Sequence, residues 1–323
     1  MKHTTRRRFL GQVVGSAAAA AICTGTLPEL FDGVGAVLAA DTGPSVPFPT
    51  ASRERIAIAS YPFRDHIASR EEKAGGGGKM ELKEFAAHVS AKFNIKKIEP
   101  WSPHFRSLDK AYLEELRAAV AKAGGAIVDI AVDGEHSPYA MDSAERDRAV
   151  AGSKEWIDVA VMIGSPSVRT HIPAAKDSKP DMERTSESLK RVAEYGASKN
   201  VVVHLENDDP ISEDPFFIVK VIEKVNSPWL RALPDFGNSV VAHDDEYAYK
   251  GVDGMFAHAY GISHVKEIEA EEQGKIAHVD LAKTFGIAKQ HGYKGYFSME
   301  WDSPGDPYAG TAGLIEKTLK NLS

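Results

Sequence analysis

The chain has 323 residues, 43% of them apolar and 26% charged, with a formal charge of −7 and one cysteine, Cys23. That balance excludes a fibrous or disordered chain and any structural disulfide or cysteine-ligated metal centre. The acidic charge leaves no electrostatic footprint for a nucleic-acid backbone, and the length suits one large domain or two ordinary ones.

Residues 1–40 stand apart. Thr5-Arg6-Arg7-Arg8-Phe9-Leu10 precedes a Gly/Ala-rich apolar stretch from Val13 to Thr24, and Val37-Leu38-Ala39-Ala40 offers small residues to a signal peptidase. The segment resembles a twin-arginine (Tat) signal peptide, which predicts a periplasmic or secreted mature protein. Its apolar part is too short and alanine-rich for a membrane span, so no stable membrane anchor is expected. Cys23 lies inside this segment behind Ile22, too bulky for a lipid-attachment box. Removing the segment takes four basic residues against Glu29 and Asp32 and leaves the mature chain more acidic still. The twin-arginine route carries folded proteins, which suits a protein that acquires a cofactor before export.

After a Pro/Ser-rich linker over 41–54, short β-rich runs alternate with amphipathic stretches to the C-terminus. Strands are predicted over 55–63, 95–101, 126–132, 167–172, 201–206, 230–236, 262–266 and 295–301. Helices are predicted over 81–93, 110–123, 144–162, 182–198, 215–224, 245–258, 279–290 and 311–322. In the third helix Val150, Trp156, Val159, Ala160 and Ile163 recur near the helical period and Gly164 stops it. Eight strand–helix units over 55–323 predict a single α/β domain, a (β/α)8 TIM barrel. A doubly wound nucleotide-binding sheet would place a G-x-G-x-x-G turn after the first strand, and none follows Phe63. Gly75 to Gly78 reads as a flexible loop in the first βα connection, placed to act as a lid.

In such a barrel the site is built at the C-terminal ends of the strands. The last four apolar runs end in or carry Glu206, Asp235, His264 and Glu300, spaced by 29, 29 and 36 residues. Four consecutive strands each deliver one metal-competent side chain to one rim. Three carboxylates and one imidazole form a mostly oxygen shell suited to Mn²⁺ or Mg²⁺, with Co²⁺ or Zn²⁺ as further candidates.

From Arg55 onward the chain resembles the xylose isomerase-like TIM barrel superfamily, the sugar phosphate isomerase/epimerase group. The matching words are His204-Leu205-Glu206-Asn207, Asp235-Phe236-Gly237-Asn238, His264-Val265-Lys266-Glu267 and Met299-Glu300. The resemblance implies one divalent metal ion held by Glu206, Asp235, His264 and Glu300, with Glu206 and Glu300 also exchanging protons with substrate carbon. Many relatives carry a histidine three residues after the sixth-strand aspartate, where this chain has Asn238. A trinuclear zinc site of the DNA-repair relatives would need further histidines at strand ends.

Glu99 and Trp101 on the second strand, Arg169 and His171 on the fourth, His204, Asn238 and Lys266 end or adjoin runs at the same rim and are read as substrate-binding. The expected partner is a small-molecule sugar or keto-sugar, with no nucleic acid. The expected function is a divalent-metal-dependent sugar isomerase/epimerase acting by proton transfer next to a carbonyl through an enediolate. The alternative is a metal-dependent lyase or hydratase on 3-keto sugars or glycosides, expelling a β-substituent from the same intermediate.

Overall fold

Apolar runs of four or five residues, flanked by helices that must bury one face, favour strands covered on both sides. In the computed structural model, which describes residues 43–70, 79–208, 211–270 and 276–323, they form a parallel barrel. Its strands are β1 (Ile56–Ala59), β2 (Lys97–Glu99), β3 (Ala126–Ile127), β4 (Ser167–Thr170), β5 (Val202–Glu206), β6 (Leu230–Leu233) and β7 (Ile262–Val265). A small antiparallel hairpin, β8 (Ile268–Ala270) and β9 (Ile276–His278), intervenes before the last barrel strand, β10 (Tyr296–Met299). Residues 1–40, read from the sequence as an export signal, and Gly75 to Gly78 lie outside the described residues.

Pairing runs β3-β2-β1-β10-β7 in one sheet and β4-β5-β6 in another. Two seams close the ring: Ala131 bridges to Arg169, and Asp235 bridges to His264. Both seams sit where the ladder gives way to rim residues, so the site is part of the closure. Here the structure corrects several predicted ends. The first strand stops at Ala59 because Pro62 turns Tyr61–Phe63 into a 3-10 helix. The third has a regular ladder only over Ala126–Ile127, and the sixth ends at Leu233 ahead of Pro234, which cannot donate to a ladder.

The helices are α1 (Leu82–Phe93), α2 (Lys110–Lys122), α3 (Ser143–Ile163), α4 (Met182–Lys199), α5 (Pro215–Val225), α6 (Asn238–Ala242), α7 (Asp245–His258), α8 (Leu281–Gln290) and α9 (Pro307–Leu322). The side chains of Asp142, Asp181, Asp214, Asp244, Asp280 and Asp306 each accept a backbone N–H in the first turn that follows them. Six of the chain's 46 acidic residues are therefore helix caps. Capping also explains why α9 starts at Pro307, ahead of the predicted 311: Asp306 caps it and proline suits its first position.

Inward positions alternate along each strand. On β10 and its continuation they are Tyr296, Ser298 and Glu300, and on β7 Ile262, His264 and Lys266, all buried. The lower end is closed from outside by residues 43–48: Phe48 packs edge-on against Tyr260 and Tyr296 at 5.4 and 5.7 Å. The Tyr260 hydroxyl accepts from Val46 N and donates to Pro44 O. No described helix is long and apolar enough to cross a membrane.

Candidate metal centre at the C-terminal mouth

Glu206 ends β5, Asp235 and His264 face each other across the β6–β7 seam, and Glu300 follows β10 with its N–H still bonded to Val265 O. One ligand atom from each of the four lies within 4.8 Å of every other. His264 Nδ1 is the hub: Glu206 Oε1 lies at 2.7 Å, Glu300 Oε2 at 3.1 Å and Asp235 Oδ2 at 3.9 Å. The opposite nitrogen, Nε2, lies 2.8 Å from Glu99 Oε1. An ionised carboxylate only accepts, so Nε2 carries a hydrogen and Nδ1 is the nitrogen left to bind a cation.

Asp235 is oriented by its other oxygen: Oδ1 accepts from Gly237 N and Asn238 N, both at 2.7 Å. Its backbone N–H donates to Asn207 Oδ1 at 2.8 Å. Among the described residues Oδ2 is buried without a hydrogen-bond partner, with Lys266 Nζ 3.6 Å away. A buried, unpartnered carboxylate oxygen beside two more carboxylates and an imidazole nitrogen is a donor set that a divalent cation satisfies.

The electrostatics carry the same strain. Burial, with Glu206 and Glu300 nearby, pushes the Asp235 carboxyl up to about 7 against the pull of Lys266. Burial also raises Glu206, although His264 and Arg169 oppose it. For Glu300 burial is overcome by His264 and Lys266, and its carboxyl falls well below the usual range. Burial would depress His264, yet Glu206, Glu300 and Glu99 hold it well above its ordinary value. Three formal negative charges around one imidazole thus keep a proton where a metal ion would replace it.

Residues 86–321 match the family described as Xylose isomerase-like TIM barrel. The chain belongs to that family. None of the curated proteins matches it significantly in sequence. A Xylose isomerase-like TIM barrel protein from Mycobacterium smegmatis, solved in complex with magnesium, is 18% identical with a TM-score of 0.63, over 88% of this chain and 97% of that one. D-allulose 3-epimerase from Methylomonas sp. gives 16% and 0.64 over 85% and 100%. The 3-keto-D-glucoside 4-epimerase of E. coli gives 12% and 0.60 over 82% and 98%. At these identities the likeness is one of fold.

Around the xylose isomerase-like centre, the other rim residues read from the sequence divide. Lys266 Nζ donates to Asn238 Oδ1 at 2.7 Å and lies 3.3 Å from Glu300 Oε2 and 3.0 Å from Glu269 Oε2. Arg169 Nε lies 3.0 Å from Glu206 Oε2. Trp101 donates its indole N–H to Asp133 Oδ2 at 2.7 Å, and its ring meets Tyr61 edge-on. His171 sits among Glu213 at 2.8 Å, Asp133 at 3.2 Å and Asp208 at 3.4 Å. Burial and Arg169 oppose its protonation, but Glu213 and Asp133 lift it to about 10.

Two residues lie elsewhere than the rim. Glu99 is fully buried against His264, where it orients the imidazole. His204 is also fully buried, one inward layer below Glu206, with Nδ1 on Asp129 Oδ1 at 3.0 Å and Nε2 accepting from Gly261 N. Trp301 flanks the mouth over α9, where a Cβ at Gly310 would run into its indole.

Asp133, Asp208, Glu213 and Glu269 escaped the sequence reading. The strand-end rule finds Asp133, directly after the third apolar run; Glu213 and Glu269 lie in connections and carry no such signal. One cavity, about 620 Å³, reaches Thr170, Val150 and Leu189 between the strands and α3 and α4 and meets the rim through Asp133 and His171, but none of the four candidate ligands lines it. Another, about 390 Å³, lies between Arg64, Trp301 and Asp302.

Proposed function

We propose that this chain is a divalent-metal-dependent sugar isomerase or epimerase that moves a proton next to a carbonyl. The observation that carries the reading is the unpartnered Asp235 Oδ2 facing Glu206, His264 and Glu300. The family and the sugar epimerases among its structural relatives support the same chemistry. Magnesium in one relative supports Mg²⁺ or Mn²⁺ over softer ions.

A bound cation supplies a Lewis acid that polarises the carbonyl and stabilises negative charge on neighbouring oxygens. The chain's own residues do the rest. Glu206, Asp235, His264 and Glu300 would hold the ion, and a glutamate carboxylate supplies the base for the substrate carbon. Lys266 Nζ, already 2.7 Å from Asn238 Oδ1, is a donor for a substrate oxygen. Trp101 and Tyr61 offer the apolar wall on which a sugar ring packs. The epimerase on a 3-keto-D-glucoside makes oxidised glycosides worth testing beside free ketoses.

The test is metal analysis of the purified protein followed by proton–deuterium exchange into ketoses and 3-keto glycosides. Exchange at the carbon beside the carbonyl is expected; loss of an aglycone would identify the lyase reaction, and no exchange with any sugar would remove the reading. We also propose export through the twin-arginine route. Replacing Arg6 and Arg7 by lysine should leave unprocessed protein in the cytoplasm, and normal periplasmic accumulation would refute it.

A further inference from the structure

The atoms that converge on His264 Nδ1 are Glu206 Oε1, Glu300 Oε2 and Asp235 Oδ2, and these are the ones a shared cation would engage. Each glutamate keeps a second oxygen, and the two have different surroundings. Glu206 Oε2 lies 3.0 Å from Arg169 Nε. That guanidinium is buried and fixed, with Nη1 donating to Val132 O at 3.0 Å and lying 3.5 Å from Asp133 Oδ1. Glu300 Oε1 accepts no hydrogen bond among the described residues, and the approaches of His264 and Lys266 to this carboxylate, at 3.1 and 3.3 Å, are to Oε2.

Taking proton transfer beside a carbonyl as the reaction of this site, we infer that Glu300 alone moves the substrate proton, and that Arg169 is a positioning residue that withholds Glu206 from that work. A base must present an unengaged lone pair to the C–H bond it breaks. Glu300 has one; the free oxygen of Glu206 is turned to a fixed cation. In the step, Glu300 Oε1 takes the hydrogen from the carbon beside the carbonyl, and the C–H electron pair becomes the C–C double bond of the enediolate. The same carboxyl returns the proton to the former carbonyl carbon on the same face, while the hydroxyl proton on the carbon that lost its hydrogen passes to the former carbonyl oxygen and that carbon becomes the new carbonyl. The product is a shifted carbonyl, an aldose–ketose interconversion. Inversion at one carbon would need a donor on the opposite face, where Glu206 is engaged.

The test needs no identified substrate. The Mn²⁺-loaded full chain is treated with 1-chloro-3-hydroxyacetone, a hydroxyketone that esterifies a free carboxylate: an O–C bond forms, the C–Cl bond breaks and chloride leaves. Peptide mass spectrometry then locates the ester. The expected result is Glu300 ester in about tenfold or greater excess over Glu206, within the weight of one close buried charge pair. In Arg169→Met, checked for a retained melting transition, the two should come within about threefold of each other as that ion pair is lost. A substitution that only loosened the fold would not redistribute the label in this way.

Equal or greater ester on Glu206 in the unaltered protein, no ester on Glu300, or an unchanged ratio in a folded Arg169→Met would overturn the inference. Should Arg169→Met not fold, the wild-type ratio decides alone, with Glu206→Gln expected to keep the Glu300 label. Incubation of D-allulose and D-tagatose in D₂O separates this from the broader reading. Deuterium in a product inverted at one carbon overturns the single-base inference. Selective Glu300 ester with no exchange into any sugar upholds the free oxygen and removes the isomerase reading.

Discussion

The two ends of the barrel are made of opposite chemistry on the same strands. β10 runs inward from Tyr296 through Ser298 to Glu300, and β7 from Ile262 through His264 to Lys266. The floor is mostly aromatic and aliphatic, with the Tyr260 hydroxyl serving Val46 and Pro44 and Tyr293 donating to Tyr296 O. The mouth buries Glu206, Asp235, His264, Lys266 and Glu300 together and, among the described residues, leaves Asp235 Oδ2 without a hydrogen bond. Burying charge costs free energy that close packing must offset elsewhere. The comparison teaches where each property resides: changes at the mouth should alter chemistry with little or favourable effect on stability, and changes at the floor should do the reverse.

The largest expected effect is at the mouth. Glu300→Gln keeps an oxygen beside His264 and removes the base, so turnover should fall by about 10²–10⁴-fold, the usual weight of general acid–base catalysis, with a much smaller loss of metal affinity. The measurement is kcat at saturating metal on whichever sugar the exchange assay identifies. Turnover near the unaltered value would show that Glu300 is a structural carboxylate.

How much of this was legible beforehand follows the same division. The eight-fold alternation and four strand-end ligands are written in the sequence because a two-sided strand needs an apolar run, and the charge that ends it stands out. His204 was misplaced at the rim because alternation fixes which face a side chain takes but not how far up the barrel it sits. The burial of Glu99 against His264 depends on a contact between strands 165 residues apart, which no local pattern carries. The β8–β9 hairpin and Glu269 lie in a charged run that reads as loop. Phe48 fell inside the predicted linker, and its packing against Tyr260 and Tyr296 appears only once the chain's ends are brought together.

The next effect in size belongs to the lower half. Gly261 donates its N–H to His204 Nε2, and a Cβ there would stand 2.6 Å from the His204 ring. Gly261→Ala must push that imidazole off Asp129 Oδ1, breaking a fully buried pair; about 3 kcal/mol of stability should be lost. Denaturant unfolding measures the loss, and Mn²⁺ affinity of the folded fraction should be unchanged. A parallel drop in affinity would mean that the lower layers set the ligand geometry.

Asp235→Asn should separate stability from function in the opposite direction. The carboxyl is raised to about 7 by burial and its acidic neighbours, so the folded state holds the proton more tightly than the unfolded state does. Its ionised form therefore costs stability, a cost fully present above pH 7 and gone below about pH 4. In chelator at pH 8 the asparagine variant should be about 2 kcal/mol more stable, with the gain shrinking toward pH 4, while Gly237 and Asn238 still donate to its amide oxygen. Mn²⁺ affinity should fall by about tenfold or more, as for other losses in a ligand set. Calorimetry against pH and metal titration read both effects. A destabilised variant at pH 8 would mean that the aspartate is a net stabiliser and that the mouth carries no electrostatic burden.

The smallest effect tests whether the floor strap is part of the domain. Tyr260→Phe keeps the ring against Phe48 but removes the hydroxyl that binds Val46 N and Pro44 O at 2.9 and 3.0 Å. Both partners lie in a half-exposed segment and recover water, so the loss should be about 1 kcal/mol, that of one ordinary hydrogen bond. Because 43–48 is held chiefly by this hydroxyl and the Phe48 ring, local opening should rise more than global unfolding. Limited proteolysis should therefore cut near residue 45 several-fold faster, by about the factor of five that 1 kcal/mol implies. Metal binding, at the far end of the same strands, should not move. Unchanged proteolysis would place the attachment in the aromatic packing alone, and Phe48→Ala would then be the change that frees the segment.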